Sequence, residues 1–257
     1  MNKVSGIILT KNNSRTIKDC LTSISSLVDE LIIIDDLSSD DTLAIIKELR
    51  PDANIINHKL ERFDEQRNIG IEKAKNPWIL MIDSDEIVSD ELGKSIKELN
   101  EEENIDAYWV TRLNRFFDVY LKEEYWNRPI LFKNKLKFSY PVHEIIEIEK
   151  DRIKKISGTL KHESWIGIKE NMDKMNKYSD LIAQKWIEQK RNYSALKLFI
   201  FAILLPLRYF FICFFKKKFY KAGFFNGFFY SVFESSWWLA AIFKYRELKN
   251  KTERNGK

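Results

Sequence analysis

The chain has 257 residues, 44% of them hydrophobic, enough to bury a sizeable core as one main domain with an appendage. Residues 171–257 hold 17 Lys/Arg against 6 Asp/Glu, whereas residues 1–170 hold 26 against 32, so a basic tail follows a mildly acidic front; this suits an anionic surface as partner, and no nucleic acid is expected. Cys20 and Cys213 form no spaced framework or metal motif, which fits a reducing compartment.

The N-terminal run Val4 to Leu9 turns polar at Thr10-Lys11-Asn12-Asn13, too early for a signal-peptide core, so the front domain is expected in the cytoplasm. Strand-like and helix-like patterns then alternate. Val4 to Leu9 reads as strand, Thr16 to Leu27 as helix, Leu31 to Asp35 as strand, and Asp41 to Leu49 as helix. Ala53 to Asn57 reads as strand, Glu65 to Ala74 as helix, and Trp78 to Ile82 as strand. This is a βα repeat with a mostly parallel sheet flanked by helices. Open sheets of this kind bind ligands beyond the carboxyl ends of their strands. Three polar groups lie there: Thr10-Lys11-Asn12, Asp35-Asp36 and Asp83-Ser84-Asp85.

In Asp83-Ser84-Asp85 two carboxylates one residue apart leave an apolar run. Residues i and i+2 of an extended segment point the same way, so both can face one hard cation and the diphosphate it neutralises. A turn or helix cap is the plainer alternative. In Asp35 to Thr42, Ser39 or Asp40 caps the next helix, but Asp35 and Asp36 precede the cap. A carboxylate there can accept hydrogen bonds from a nucleobase or a ribose. Arg62 to Asn68 opens the third helix, and Arg67 either contacts phosphate or pairs with a nearby acid.

From Val4 to about Asp90 the chain resembles the nucleotide-sugar half of a family 2, GT-A fold, inverting glycosyltransferase. The resemblance rests on Ile7 to Asn12, the D-D-x-S-x-D-x-T stretch at Asp35 to Thr42, Gln66-Arg67-Asn68, and Asp83-Ser84-Asp85 as the D-x-D. It implies a nucleotide-sugar site made of Thr10, Asn12, Asp35, Asp36, Arg67, Asn68, Asp83, Ser84 and Asp85. It also implies that the aspartate after strand two meets the base and that the D-x-D binds Mg²⁺ or Mn²⁺ with the diphosphate. Leu37 stands where the family usually has Gly, and is expected to alter the local turn without removing a ligand.

Further on, Trp126 to Phe132, Pro141-Val142-His143-Glu144 and Leu160-Lys161-His162 resemble the β-1,4-glucosyltransferases of the lipopolysaccharide inner core. That resemblance implies UDP-glucose as donor and a lipid-linked glycan as acceptor. The transfer needs a base on the acceptor side and positive charge on the leaving group. Asp85, helped by Asp83, would hold the cation, since hard oxygen ligands suit Mg²⁺ or Mn²⁺. Glu144 is the expected base and His143 its substitute, against a strand-end ion pair between them. His162 is either a further metal or diphosphate ligand or a hydrogen-bonded structural residue.

Domain 1–170 is thus expected to carry a donor half (1–100) and an acceptor half (101–170), with 171–257 an amphipathic, aromatic helical region that associates with membrane. Apolar runs Ala195 to Phe215 and Ala222 to Phe243 are long enough to span a bilayer. A spanning hairpin would push Lys216-Lys217-Lys218 and Lys221 outside, against the cytoplasmic retention of Lys and Arg. In-plane or re-entrant helices on the cytoplasmic face of the inner (plasma) membrane are therefore expected, peripheral or monotopic, with a soluble aromatic core or dimer interface as the alternative. Three rival functions fit less well. A sugar nucleotidyltransferase lacks its Gly-rich phosphate loop here, a phosphoacceptor receiver domain would carry its paired acids after strand one, and a non-catalytic membrane adaptor leaves the strand-end clusters unexplained.

Overall fold

Apolar, β-branched runs buried on both faces build the sheet, as expected of central parallel strands. In the computed structural model, which describes residues 3–99, 102–116, 119–124, 128–139, 145–163, 167–189, 191 and 193–255, β1 (Val4–Thr10) is buried along its whole length. It lies between β2 (Glu30–Asp35) and β4 (Trp78–Asp83), parallel to both, and β3 (Asn54–Asn57) extends the parallel set beyond β2. Helices α1 (Ile17–Ile24), α2 (Thr42–Leu49) and α3 (Phe63–Lys73) connect these strands. Helix α1 buries Ile17, Cys20, Leu21 and Ile24, the spacing of one helical face. On α3, a Cβ at Gly70 would meet Ile7 Cγ2 at 2.6 Å, so glycine is what lets this helix close onto β1.

The remaining strands of this sheet change direction. After β5 (Glu86–Val88) and α4 (Asp90–Lys97) come β6 (Ala107–Phe116), β7 (Val119–Glu124), β8 (Leu131–Lys133), β9 (Phe138–Ser139), β10 (Ile145–Ile146) and β11 (Ile153–His162). The order is β3-β2-β1-β4-β8-β6-β11-β5, with β7 on β6 and β9 paired to β10 apart. Strand β8 runs antiparallel to both β4 and β6, while β11 is parallel to β6 and antiparallel to β5. The sheet is therefore mixed, which corrects the mostly parallel expectation. Parallel neighbours need a long crossover, usually a helix, and no helix separates β6 from β8 among the described residues. Alternate residues of each central strand feed two cores: Val4, Ile8 and Ile33 enter one, Ile7, Leu9 and Ile34 the other.

Contacts divide the chain into Met1–Asn114 with Lys122–Ser164, and Arg115–Leu121 with Trp165–Lys257. The second unit takes parts of β6 and β7 and is otherwise helical among the described residues. It contains α5 (Ile168–Glu188), α6 (Ala195–Phe211), a π-helical turn Ile212–Lys216, a 3-10 turn Phe219–Ala222, and α7 (Phe224–Asn255). Ala183, Trp186, Leu198, Ala241, Ile242 and Tyr245 form its core. Helix and π-turn together, Ala195–Lys216, make one segment long and apolar enough to cross a membrane by length and composition, with mean hydropathy 2.4. Leu196, Phe199, Ile200, Ile203, Leu204, Leu207, Phe211 and Phe215 are all exposed along it. Their spacing places them on one face, opposite buried Leu198.

Candidate active site

Strand β4 carries its apolar run straight into Asp83, and the next residues turn. Ser84 is buried and its N–H donates to Leu9 O at 3.2 Å, which ties the turn to the end of β1. The Asp83 N–H donates to Glu86 Oε2 at 2.8 Å, and the buried Glu86 carboxylate pairs with Arg112 at 2.6 Å. A charged pair beneath the turn thus fixes its backbone. Cys20 Sγ lies 3.6 Å from Asp83 O; burial, then the charges of Glu86, Asp85 and Asp83, push its thiol well above the usual range, so it stays protonated.

The two carboxylates of the D-x-D have different partners. Asp83 accepts from Arg67 Nη2 at 3.0 Å on one oxygen and from Arg128 Nη2 at 2.6 Å on the other. Burial opposes its charge, but Arg128, then Arg67 and Arg112, outweigh this and hold the carboxyl well below the ordinary range. Asp85 faces His162, whose Nε2 is 3.4 Å from Asp85 Oδ2. The other ring nitrogen, Nδ1, lies 2.8 Å from Asn114 Oδ1. The Asn114 amide nitrogen donates to Glu123 at 2.7 Å, and an amide oxygen only accepts, so Nδ1 is the donor to Asn114 and Nε2 is the ring nitrogen turned to Asp85.

Asp85 and His162 are a fitting start for a metal site. An oxygen and an imidazole nitrogen suit Mn²⁺ at least as well as Mg²⁺, and the Asn114 contact is the kind of outer hydrogen bond that orients a ligating histidine. Among the described residues no group of three or more His, Cys, Asp and Glu converges, so a cation here would draw its other ligands from elsewhere. With both oxygens on guanidinium groups, Asp83 is the poorer ligand of the three residues expected from sequence.

At the ends of β1 and β2, Asp36 accepts from Lys11 Nζ at 2.7 Å and from the Leu60 N–H at 2.8 Å. Thr10 Oγ1 is buried with no hydrogen-bond partner among the described residues. Other expected ligands are occupied. Asp35 accepts from the Ser38 N–H at 2.8 Å and the Ser38 hydroxyl at 2.5 Å, which makes it a turn-former. Asn12 accepts from the Ser39 N–H at 2.8 Å, and its own N–H donates to Ser38 Oγ at 2.9 Å. Asn68 exchanges hydrogen bonds with the Phe138 backbone, both at 2.9 Å, imitating a strand partner. Of the two roles open to Arg67, the structure displays the acid pairing, with its guanidinium also 5.3 Å from the Phe138 ring centroid. His143 and Glu144 lie outside the described residues.

Sequence reasoning assigned no role to Glu86, Arg112, Asn114 or Arg128. Glu86 adjoins the D-x-D, and an acid inside an otherwise apolar three-residue strand was the available signal. Asn114 meets His162 only because β6 and β11 pair in that register, which no local pattern encodes.

Comparison with known proteins gives this geometry a family. The family model described as Glycosyl transferase family 2 matches residues 5–161, more than half of the chain. The chain belongs to that family. An uncharacterized glycosyltransferase of Rickettsia typhi is 28% identical over 98% of this chain and 89% of its own length. The SPbeta prophage-derived glycosyltransferase SunS of Bacillus subtilis is 35% identical over 53% of this chain and 33% of its own. A crystal structure of S. aureus TarS 1–349 aligns at 16% identity and TM-score 0.48, covering 99% of this chain and 92% of that one. The transferase is thus a nucleotide-sugar glycosyltransferase with a GT-A-like mixed sheet, and the nucleotidyltransferase, receiver and adaptor readings fall away.

One departure from the family leaves a physical trace. Leu37 takes φ +55°, the left-handed region that glycine occupies without strain. Leu37, whose side chain is exposed, bears the strain of that backbone. Leu37→Gly is expected to stabilise the fold by about 0.5–1 kcal/mol, the left-handed penalty less the entropy of glycine. Urea denaturation checks this, and a lower midpoint in the variant would contradict it.

Proposed function

We propose that this transferase moves glucose from UDP-glucose, with inversion and with Mg²⁺ or Mn²⁺, to a lipid-linked glycan in the manner of a lipopolysaccharide inner-core β-1,4-glucosyltransferase. The observation that carries the donor side is Asp85 facing a pre-oriented His162, beside an arginine-held Asp83, at the carboxyl end of β4. Asp85 and His162 would hold the divalent ion. When bound, that ion supplies positive charge for the diphosphate as it leaves. Asp36 and the Thr10 hydroxyl, which has no hydrogen-bond partner among the described residues, lie at the adjoining strand ends, where a nucleoside would be read. Glu144 takes the proton from the attacking hydroxyl as the new bond to C1 forms and the bond from C1 to the diphosphate breaks. A single displacement of this kind inverts the anomeric centre.

The acceptor side rests on the resemblance of Pro141 to Glu144 and on the second unit. The apolar face of Ala195–Lys216 is one-sided and exposed, and Phe224, Phe225, Phe228 and Phe229 at the start of α7 are exposed as well. Lys216, Lys217, Lys218 and Lys221 lie between these two segments. An apolar face flanked by lysines suits the headgroup region of an anionic membrane better than a full span, whose surface would be apolar all round. This supports a peripheral or monotopic enzyme on the cytoplasmic face, where lipid-linked acceptors are at hand.

Membranes from expressing cells, assayed with a panel of UDP- and GDP-sugars, test the donor and the chemistry together. Transfer from UDP-glucose is expected, lost in EDTA and restored by Mn²⁺ or Mg²⁺. Asp85→Asn and Glu144→Gln should each lower turnover by roughly 10²-fold or more, the latter with UDP affinity near normal. Full activity of Asp85→Asn in EDTA would remove the metal role, and near-normal turnover of Glu144→Gln would move the base elsewhere.

For the membrane, replacing Lys216, Lys217, Lys218 and Lys221 by Gln should weaken binding to anionic vesicles more than to neutral ones, and added salt should do the same to the wild type. A tag placed among these lysines that proves accessible from the periplasmic side would contradict in-plane association.

A further inference from the structure

Arg128 lies in none of the strand-end motifs, yet its guanidinium reaches the D-x-D. Its root is rigid. Pro129 follows and disfavours helical backbone at Arg128, and Ile130 is stitched into the sheet, its N–H donating to Tyr108 O at 3.0 Å and its carbonyl accepting from the Met81 N–H at 2.8 Å. From this anchor Arg128 Nη2 meets Asp83 Oδ2 at 2.6 Å.

The two arginines on Asp83 differ in access. Arg67 is buried, its side chain 4% exposed, whereas the Arg128 side chain is 26% exposed. Arg67 still pairs with Asp83 when Arg128 leaves, and the Asp83 side chain is itself 25% exposed, so the exchange orphans no buried charge. A guanidinium that binds one carboxylate oxygen binds a phosphate oxygen by the same fork geometry. The nearby Arg112 is committed to Glu86 under the turn and is poorly placed for such an exchange.

We infer that Arg128 is a ligand for the donor's diphosphate, exchanging Asp83 Oδ2 for a phosphate oxygen when the nucleotide binds. The inference rests on the nucleotide-diphosphate reading of the site and adds a residue to it. In the exchange Asp83 keeps Arg67, and the freed guanidinium adds a second positive charge to the leaving group.

Calorimetric titration of the full chain with UDP, UMP and uridine, in Mn²⁺, tests it. Arg128→Ala is expected to weaken UDP by about 10-fold or more, UMP by less, and uridine not at all, with Arg128→Lys recovering part of the loss. If Arg128 acted only by positioning Asp83, Arg128→Ala would cost nothing further in UDP affinity in an Asp83→Asn background, and that result overturns the inference, as does unchanged UDP affinity in the single variant. Thermal melting of both variants reports the fold, and Arg128→Lys, which keeps the charge, supplies the ordering of the three ligands should Arg128→Ala not fold. A wild-type chain that binds neither UDP nor GDP would instead bring down the nucleotide reading and this inference with it.

Discussion

A carboxylate at the end of a buried parallel strand must be compensated, and at Asp83 this is done by Arg67 and Arg128. Much of the site follows from that requirement. Arg67 must come from α3, which approaches β1 closely enough only because residue 70 is glycine. Arg128 must come from the segment that leads into β8, which is why an antiparallel strand beside β4 matters to the chemistry. The backbone at Asp83 is held in turn by Glu86, itself neutralised by Arg112 of β6. Strands from both halves of the sheet therefore meet on one triplet. Asp85 is left to point at His162, the last residue of β11.

The first half of this arrangement was legible in the sequence because its signals are local. Apolar runs of six or seven residues, each ending in a polar residue, mark β1, β2 and β4, and a helical pattern separates them. The second half was not. Strand β8 is three residues long, and periodicity gives no strand direction, so the mixed sheet was read as mostly parallel. Side-chain commitments were equally hidden. Asp35, Asn12 and Asn68 carry the residue types of ligands, but their oxygens are already taken by nearby backbone or hydroxyl groups. The pairing of His162 with Asn114 depends on the register of β6 and β11, a long-range fact. His162 itself was found through resemblance, and it lies between Asn114 and Asp85.

The helical unit was read from two quantities that do not need a fold, apolar length and charge. Both survive in the structure as an exposed apolar face on Ala195–Lys216 and a lysine-rich connection to α7. What the sequence did not specify is that the face is one-sided. Leu198, Cys213 and Phe214 turn inward while Phe199, Leu204 and Phe215 turn out, an asymmetry set by packing within the unit. A helix of this kind meets water, lipid or protein on one side only.

The central claim is that Asp85 and His162, with a nucleoside diphosphate, complete one cation site beside an arginine-held Asp83. Titration of Mn²⁺ into the full chain followed by electron paramagnetic resonance measures this directly, because free Mn²⁺ gives a sharp signal that binding removes. Weak binding is expected without nucleotide, since only two protein ligands converge among the described residues. Adding UDP should remove the free signal in the wild type, and His162→Ala should bring it back. A free-Mn²⁺ signal in the wild type that exceeds that of a UDP–Mn²⁺ control lacking protein, or matches it, would contradict the account.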